Sequence, residues 1–238
     1  MRSTYLNRCK RLIEATIDGL GLDLSGLTVL TEAATGQFAL TASIALLAKA
    51  ENVLVLAKDS RYGTREQAIE ATLSVGREIA PHDEIKVLDD RTDRRIRSVD
   101  IVTNLAGVRP IDQSFVERLG PRAVIPLMFE SWEFRESDID IEACRRKGLM
   151  VFGTNERHHV VDVLSYIGPL AAKQIFESGL EVYNTNVILL ASGIFAENIR
   201  SYLTSCGVCV ESVNVNQDRT YSVETVQHEM PRADAIFV

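Results

Sequence analysis

The stretch from residue 27 to residue 56, LTVLTEAATGQFALTASIALLAKAENVLVL, decides the fold. It holds an apolar run at residues 27–30, a helix-like stretch at 37–50 and a second apolar run at 53–56. Two short apolar runs joined by a helical segment are typical of parallel strands, because parallel strands need a long crossover connection. The sequence therefore predicts a βαβ unit here.

The same alternation extends outward in both directions. Periodicity predicts an amphipathic helix at 5–20, further helices at 65–79, 113–119, 139–147, 159–177, 196–206 and 223–229, and strands at 85–88, 100–104, 123–127, 150–152, 187–191, 208–213 and 233–238. This order is typical of an α/β protein with a doubly wound parallel sheet, flavodoxin-like or Rossmann-like, followed by a partial Rossmann unit. We expect a first domain at 1–157, a connecting helix at 158–180 and a nucleotide-binding domain at 181–238.

Composition narrows the class of protein. The 238 residues are 46% hydrophobic, and the net charge of −7 leaves no basic surplus for a nucleic acid, so a small-molecule ligand is expected. The sequence has no apolar run of the roughly 20 residues that span a bilayer and no signal-like N-terminus, which predicts a cytoplasmic protein without a membrane partner. Four cysteines, of which only Cys206 and Cys209 are close, predict neither a disulfide framework nor a metal site.

Two turns between a strand and a helix are candidate ligand sites, because ligands of open parallel sheets bind beyond the carboxyl ends of the strands. The first turn is at 31–36. The second is at 191–196, with Asn214 and Asn216 about 20 residues further on. We predict that the cofactor-binding residues of the second turn are Ser192, Gly193, Ile194, Phe195 and Asn214.

The second half of the chain resembles a known family. Its motifs are Asp100-Ile-Val-Thr-Asn104, Asp138-Ile-Asp-Ile-Glu-Ala-Cys-Arg-Arg-Lys-Gly148 and Val151-Phe-Gly-Thr-Asn-Glu156. In this order they are similar to the D-2-hydroxyacid dehydrogenases of the formate and glycerate dehydrogenase type, over roughly residues 100–213. The resemblance implies an oxidoreductase that binds NAD or NADP.

The resemblance also implies roles for individual residues. Thr154 and Asn155 match the family's Thr-Asn loop and are expected at the cofactor, and the segment 128–134, which contains Glu130 and Trp132, replaces its substrate loop. The family's catalytic residues lie beyond the end of this sequence. We therefore assign no catalytic residue and expect the chain to lack them.

The first half is similar to S-adenosylmethionine-dependent methyltransferases over residues 28–127. Val29-Leu-Thr-Glu-Ala-Ala-Thr-Gly36 resembles their glycine loop, and Val53-Leu-Val-Leu-Ala-Lys-Asp-Ser60 resembles their second strand with its ribose-binding acid. This alternative implies S-adenosylmethionine as the ligand, held by Glu32, Gly36 and Asp59.

The loop at 59–64 is the densest polar cluster of the first half. Arg61 is suited to a two-pronged contact with a phosphate or carboxylate, so we place Asp59 and Arg61 with Glu130 and Trp132 as candidate substrate-binding residues. Thr64 followed by Gln67 also predicts a capping box at a helix start.

Three functions remain open from the sequence. They are an NAD(P)-binding relative of the oxidoreductases, a methyltransferase-like enzyme, and a non-catalytic nucleotide-binding or assembly protein. The apolar strand predicted at 233–238 needs a cover, which favours a homodimer or a further polypeptide segment as partner.

Overall fold

The computed structural model describes residues 3–159, 161–215 and 220–238. Within these ranges the helices are α1 (Ser3–Leu20), α2 (Thr41–Leu47), α3 (Arg65–Ile79), α4 (Gln113–Arg118), α5 (Ile141–Lys147), α6 (Ile167–Glu177), α7 (Gly193–Ser205) and α8 (Val223–Glu229). The strands are β1 (Thr28–Glu32), β2 (Asn52–Leu56), β3 (Ile85–Val87), β4 (Ile101–Val102), β5 (Val124–Pro126), β6 (Met150–Phe152), β7 (Asn186–Leu190), β8 (Cys209–Val213) and β9 (Ala235–Phe237).

The first six strands form one parallel sheet in the order β3-β2-β1-β4-β5-β6. The chain extends this sheet first on one side of β1 and then on the other, so its direction of growth reverses between β1 and β4. All five residues of β1 are buried, because helices cover both faces. The order is that of the doubly wound dinucleotide fold and not the 2-1-3-4-5 order of flavodoxin. The predicted α/β class is confirmed in its Rossmann-like form.

A second parallel sheet follows, in the order β8-β7-β9. β7 is the central strand, and its residues from Val187 to Leu190 are buried. One face packs on α6 and α7 through Ala171, Ile175 and Leu203. The opposite face packs through Ile188 and Leu190 on α8. The first strand of this unit lies in the centre, so the order is 2-1-3 and not the 3-2-1 order of a mononucleotide-binding half.

The chain separates into two compact units, the first unit Met1–Asn155 and the second unit Glu156–Val238. Among the described residues, three of the five buried apolar clusters lie wholly in the first unit and two lie wholly in the second. α6 belongs to the core of the second unit. The boundaries at 157 and 180 stay a prediction.

The helix predicted at 159–177 starts later, at Ile167. Pro169 explains the difference. Proline has no backbone N–H and clashes with the preceding turn, so it is tolerated in the first turn of a helix and disrupts the interior. The predicted helix would have placed Pro169 well inside. The observed helix has it at the third position.

The helix predicted at 37–50 also differs from the structure. Residues Gly36–Leu40 form a 3₁₀ helix, and α2 ends at Leu47. Lys49 has a φ of 67° and lies in the left-handed region. The Ala50 N–H donates to Ala45 O over 3.0 Å, and the Lys49 N–H donates to Leu46 O over 2.9 Å. This bond pair is the Schellman motif, which ends a helix.

The N-terminal helix is present, but its apolar residues are not all buried. Leu6 and Ile17 pack into the first unit, whereas Leu12 and Leu20 are 45% and 47% exposed. The apolar stripe of α1 is therefore wider than the face that it buries.

Candidate functional site

The turn that follows β7 lies where strand growth reverses in the second sheet. β7 pairs with β8 on one side and with β9 on the other, so the loop after β7 opens at the point between them. Ser192 is extended, with φ −137° and ψ 164°, and its side chain caps no backbone N–H of α7. The first N–H groups of a helix lack partners inside it. The turn therefore presents backbone donors and the positive end of a 13-residue helix.

Gly193 gives this turn its shape. Its φ is 63°, a conformation that L side chains rarely adopt, and a Cβ atom built there would meet nothing within 4 Å. The glycine is required by the backbone conformation, and it leaves open space above the turn. A ligand can therefore approach the backbone closely at this position.

The other residues predicted for this turn are exposed. Ile194 and Phe195 are 37% and 47% exposed. Asn214 comes directly after Val213, which pairs with Leu190 at the end of β7, so Asn214 lies at the same edge of the sheet as Ser192. Asn216 lies outside the described residues.

Thr154 and Asn155 follow β6 in the first unit. The Thr154 hydroxyl donates to Leu127 O over 2.7 Å, and its N–H donates to Phe129 O over 2.9 Å. Thr154 therefore ties the end of β6 to the segment after β5. Asn155 is exposed. Their joint role with the β7 turn stays a prediction.

Glu130 and Trp132 lie on that segment after β5. Trp132 is 74% exposed, and Glu130 is half-buried at the start of the 3₁₀ helix Ser131–Glu133. A Cβ atom at Gly153 would come within 2.8 Å of the Ser131 N atom, so the segment packs directly on the end of β6. The structure thus brings Glu130, Trp132 and Thr154 to the carboxyl ends of the neighbouring strands β5 and β6.

Asp59 and Arg61 lie in the loop after β2, and their side chains make different contacts. The Asp59 carboxylate accepts the N–H of Arg65 over 2.7 Å at the start of α3. The Arg61 guanidinium lies over the Tyr62 ring, 4.7 Å from its centroid. Both side chains of the Arg61–Tyr62 pair are exposed. The predicted capping box of Thr64 and Gln67 is confirmed, with both of its hydrogen bonds present.

The switch point of the six-stranded sheet is closed by the protein itself. Glu32, at the end of β1, is 5% exposed and accepts the N–H of Gly107 over 2.8 Å. Gly107 fits only without a side chain, because a Cβ atom would lie 2.7 Å from Leu56 O and 2.8 Å from the Glu32 Cβ. Burial raises the pKa of the Glu32 carboxyl group above its ordinary value, and the hydrogen bond from Gly107 opposes this.

The backbone donors of the first turn are also in use. The Ala33 N–H donates to Leu56 O over 2.8 Å, and the Ala34 N–H donates to the Thr72 hydroxyl over 2.9 Å. This turn offers neither amide to a bound phosphate. The set Glu32, Gly36 and Asp59 therefore does not form an open nucleotide site, and the methyltransferase alternative has no support.

Sequence reasoning did not single out Gly107 or the buried state of Glu32. The available signal was a carboxylate that closes an otherwise apolar strand, Val29-Leu-Thr-Glu32. Its partner comes 75 residues later, so no local pattern links them.

Residues 3–159, 161–215 and 220–238 make up the described part of the chain. In that part of the chain no group of three or more His, Cys, Asp or Glu side chains could hold a metal ion. No helix described there is long and apolar enough to cross a bilayer. All four cysteines are free, and Cys209 is exposed on β8.

No protein-family model matches the chain, and no curated protein matches it. Solved structures do. The A chain of dipicolinate synthase from Bacillus subtilis is 9% identical, with a TM-score of 0.48 over 91% of this chain and 68% of its own. A putative D-3-phosphoglycerate dehydrogenase oxidoreductase from Ralstonia solanacearum is 12% identical, with a TM-score of 0.40 over 89% and 60%.

A transhydrogenase from Sinorhizobium meliloti is 15% identical, with a TM-score of 0.42 over 89% of this chain and 61% of its own. Identities this low and TM-scores below 0.5 carry no information about what this chain binds. The fold class is established by the two parallel sheets of the chain itself.

Proposed function

We propose that the second unit binds a nicotinamide nucleotide, NAD or NADP, at the turn after β7, and that the chain is an oxidoreductase-like protein. The observation that supports this most is the Ser192–Gly193 turn. It combines a strand-order reversal, a left-handed glycine and an uncapped helix start at one exposed place. Helix starts of this kind bind pyrophosphate in doubly wound folds.

Asn214 bears on the choice between the two nucleotides. In NAD-binding sites a carboxylate at the end of the second strand accepts the ribose hydroxyl groups. Asn214 is at that place and carries no charge, so it does not repel a 2′-phosphate. We expect NADP to bind at least as well as NAD.

Catalysis is not part of the proposal. Hydride transfer to a carbonyl needs a positioned acid–base group and a cation that fixes the substrate anion. Asp59, Arg61, Glu130 and Trp132 stay candidate substrate-binding residues, without a catalytic role. A non-catalytic nucleotide-binding protein remains the second candidate, and turnover of a carbonyl substrate with NADPH would separate the two.

A substitution at Ser192 tests the nucleotide site. Ser192→Asp places a carboxylate where the pyrophosphate would lie, so we expect the dissociation constant for NADPH to rise at least tenfold, about 1.4 kcal/mol. Isothermal titration calorimetry with NADPH, NAD⁺ and S-adenosylmethionine measures this. A thermal shift gives an independent readout, because a ligand at a hundred times its dissociation constant stabilises a protein by about 2.7 kcal/mol.

Ser205→Asp is the matched control. Ser205 is the last residue of α7 and is exposed, so the same charge is introduced at the other end of the same helix. We expect this variant to bind NADPH as the unmodified protein does. Equal binding by both aspartate variants, or a response to S-adenosylmethionine alone, would contradict the proposal.

A partner at β9 is also a proposal. β9 is an edge strand, and Ile236 on it is 44% exposed. Exposed apolar edge strands pair readily with other chains. We infer a second copy of the chain, or a further polypeptide segment, as the cover of this edge.

A further inference from the structure

A cleft of about 370 Å³ lies at the carboxyl ends of β2 and β3 in the first unit. Its apolar lining consists of Leu56, Ala57 and Gly107. The remaining lining residues are four cations and four carboxylates. Its volume is at the small end of the range for small-molecule sites, roughly 300–1,000 Å³. The charged side chains of the lining determine which ligands the cleft can bind.

Two of the four cations, Lys58 and Arg65, form no ion pair with a carboxylate among the described residues. Lys58 donates to the Arg109 carbonyl over 3.2 Å, and Arg65 donates through Nη2 to the carbonyls of Leu88 and Asp89, both over 3.2 Å. Within the described ranges neither Lys58 nor Arg65 has a carboxylate oxygen within 4.0 Å. Arg109 differs, because it is paired with Asp138 at 3.0 Å.

Arg91 is the fourth cation and has a donor to spare. Its Nη2 contacts Asp112 over 3.3 Å and donates to the Pro110 carbonyl. Its Nε atom is buried and has no hydrogen-bond partner in the described part of the chain. Buried donors without an acceptor are rare in folded proteins. The Arg91 side chain as a whole is 33% exposed and lines the cleft.

Two of the four carboxylates accept hydrogen bonds from the described residues, and the other two accept none. Asp59 accepts the Arg65 N–H over 2.7 Å, and Asp90 accepts the N–H and the hydroxyl of Thr92, each over 2.5 Å. Glu66 and Asp89 accept no hydrogen bond through their side chains within the described residues. These two carboxylates are acceptors available to hydroxyl donors of a ligand.

We propose that this cleft binds a small phosphorylated polyol, with the phosphate at Lys58, Arg65 and Arg91 and the hydroxyl groups at Glu66 and Asp89. Lys58 and Arg65, which form no ion pair in the described part of the chain, match the charge of about −2 of a phosphate monoester, and the three cationic side chains match its three free oxygens. Arginine favours phosphate by its planar donor geometry. The site is independent of the nucleotide proposal, because all five residues belong to the first unit and Ser192 belongs to the second.

Calorimetry of the full chain with ribose 5-phosphate, ribose and inorganic phosphate tests the cleft. We expect ribose 5-phosphate to bind, inorganic phosphate to bind more weakly, and ribose to give no heat at millimolar concentration. Lys58→Gln and Arg65→Gln each weaken the binding of ribose 5-phosphate at least tenfold. Lys58 is exposed, so its variant is expected to fold, which thermal unfolding verifies.

Two control variants remove the same charges at a distance. Lys49 precedes β2 whereas Lys58 follows it, and Arg77 lies at the opposite end of α3 from Arg65. Lys49→Gln and Arg77→Gln should bind ribose 5-phosphate within twofold of the unmodified protein. The proposal is overturned if the unmodified protein does not bind ribose 5-phosphate, if ribose binds equally well, or if the control variants lose as much affinity.

Discussion

At the scale of single residues, the contact between Glu32 and Gly107 closes the carboxyl end of β1. A carboxyl group is buried at the end of a central strand, and its hydrogen bond comes from a loop residue whose Cβ would collide with it. The carboxyl end of β1 is the usual ligand position of this fold. Here the protein fills that position itself.

Glu32→Gln should stabilise the protein increasingly as the pH rises. Burial raises the folded-state pKa of Glu32 above its ordinary 4.5, so the folded chain holds this proton more tightly than the unfolded chain. The stability from the neutral form is present at low pH and is lost as the pH rises above 4.5. Glutamine keeps the acceptor for Gly107 without the charge, so near neutral pH we expect a gain of about 1 kcal/mol, roughly 2–4 °C in Tm.

Urea denaturation at acid and neutral pH measures this difference. Glu51→Gln is the control, because Glu51 is exposed and its substitution should change stability little at either pH. A stability difference between Glu32→Gln and the unmodified protein that does not grow with pH would show that the carboxylate is not penalised by burial.

At the scale of elements, the start of α3 is held by local bonds that the sequence already predicts. Thr64 accepts the Gln67 N–H, and the Gln67 side chain accepts the Thr64 N–H over 2.9 Å. Thr64→Ala removes the first of these bonds. We expect a loss of about 0.5–2 kcal/mol in the free energy of unfolding, measured by urea denaturation.

Ser74→Ala provides the comparison for that loss. Ser74 is exposed in the interior of the same helix, so its substitution removes a hydroxyl of similar size away from the cap. Its stability should stay within about 0.5 kcal/mol of the unmodified protein. Equal losses in the two variants would mean that the capping box contributes nothing specific.

Elements with a local signal could be predicted from the sequence, and those with a nonlocal cause could not. α3, β6 and α8 begin and end where periodicity and turn residues place them. α2 ends early, at Leu47, because Lys49 takes the left-handed conformation that sequence reasoning assigns to glycine or asparagine. α6 starts later than the apolar pattern predicts, because Pro169 is tolerated only in the first turn of a helix.

The candidate sites show the same difference between local signals and contacts distant in sequence. The turn at Ser192 and Gly193 was predicted, because a glycine after an apolar strand is a local signal. The closed switch point at Glu32 was not predicted, because its partner Gly107 is distant in sequence. The cleft residues Arg65 and Arg91 were also not predicted, since the strand order brings them together and no spacing in the chain records it.

At the scale of the whole molecule, the first unit has what an independent domain needs. Its six-stranded sheet and its three buried apolar clusters contain only residues up to Asn155. We expect a fragment of residues 1–155 to fold by itself and to unfold in one cooperative transition. Circular dichroism during thermal unfolding measures this, and a broad transition without a midpoint would contradict it.

The central position of β7 affects how the protein is synthesised. During translation β1 gains its neighbour β2 after 24 residues, from Thr28 to Asn52, but its other neighbour β4 only after 72 residues, from Thr28 to Asp100. β7 also waits for its second neighbour, since Asn186 and its partner Asp234, just before β9, are 48 residues apart. At roughly 5–20 residues per second the ribosome leaves one edge of an apolar strand open for seconds. Chaperones that bind nascent chains therefore have an opportunity of seconds at β7 before β9 is made, and a longer one at β1 before β4 is made.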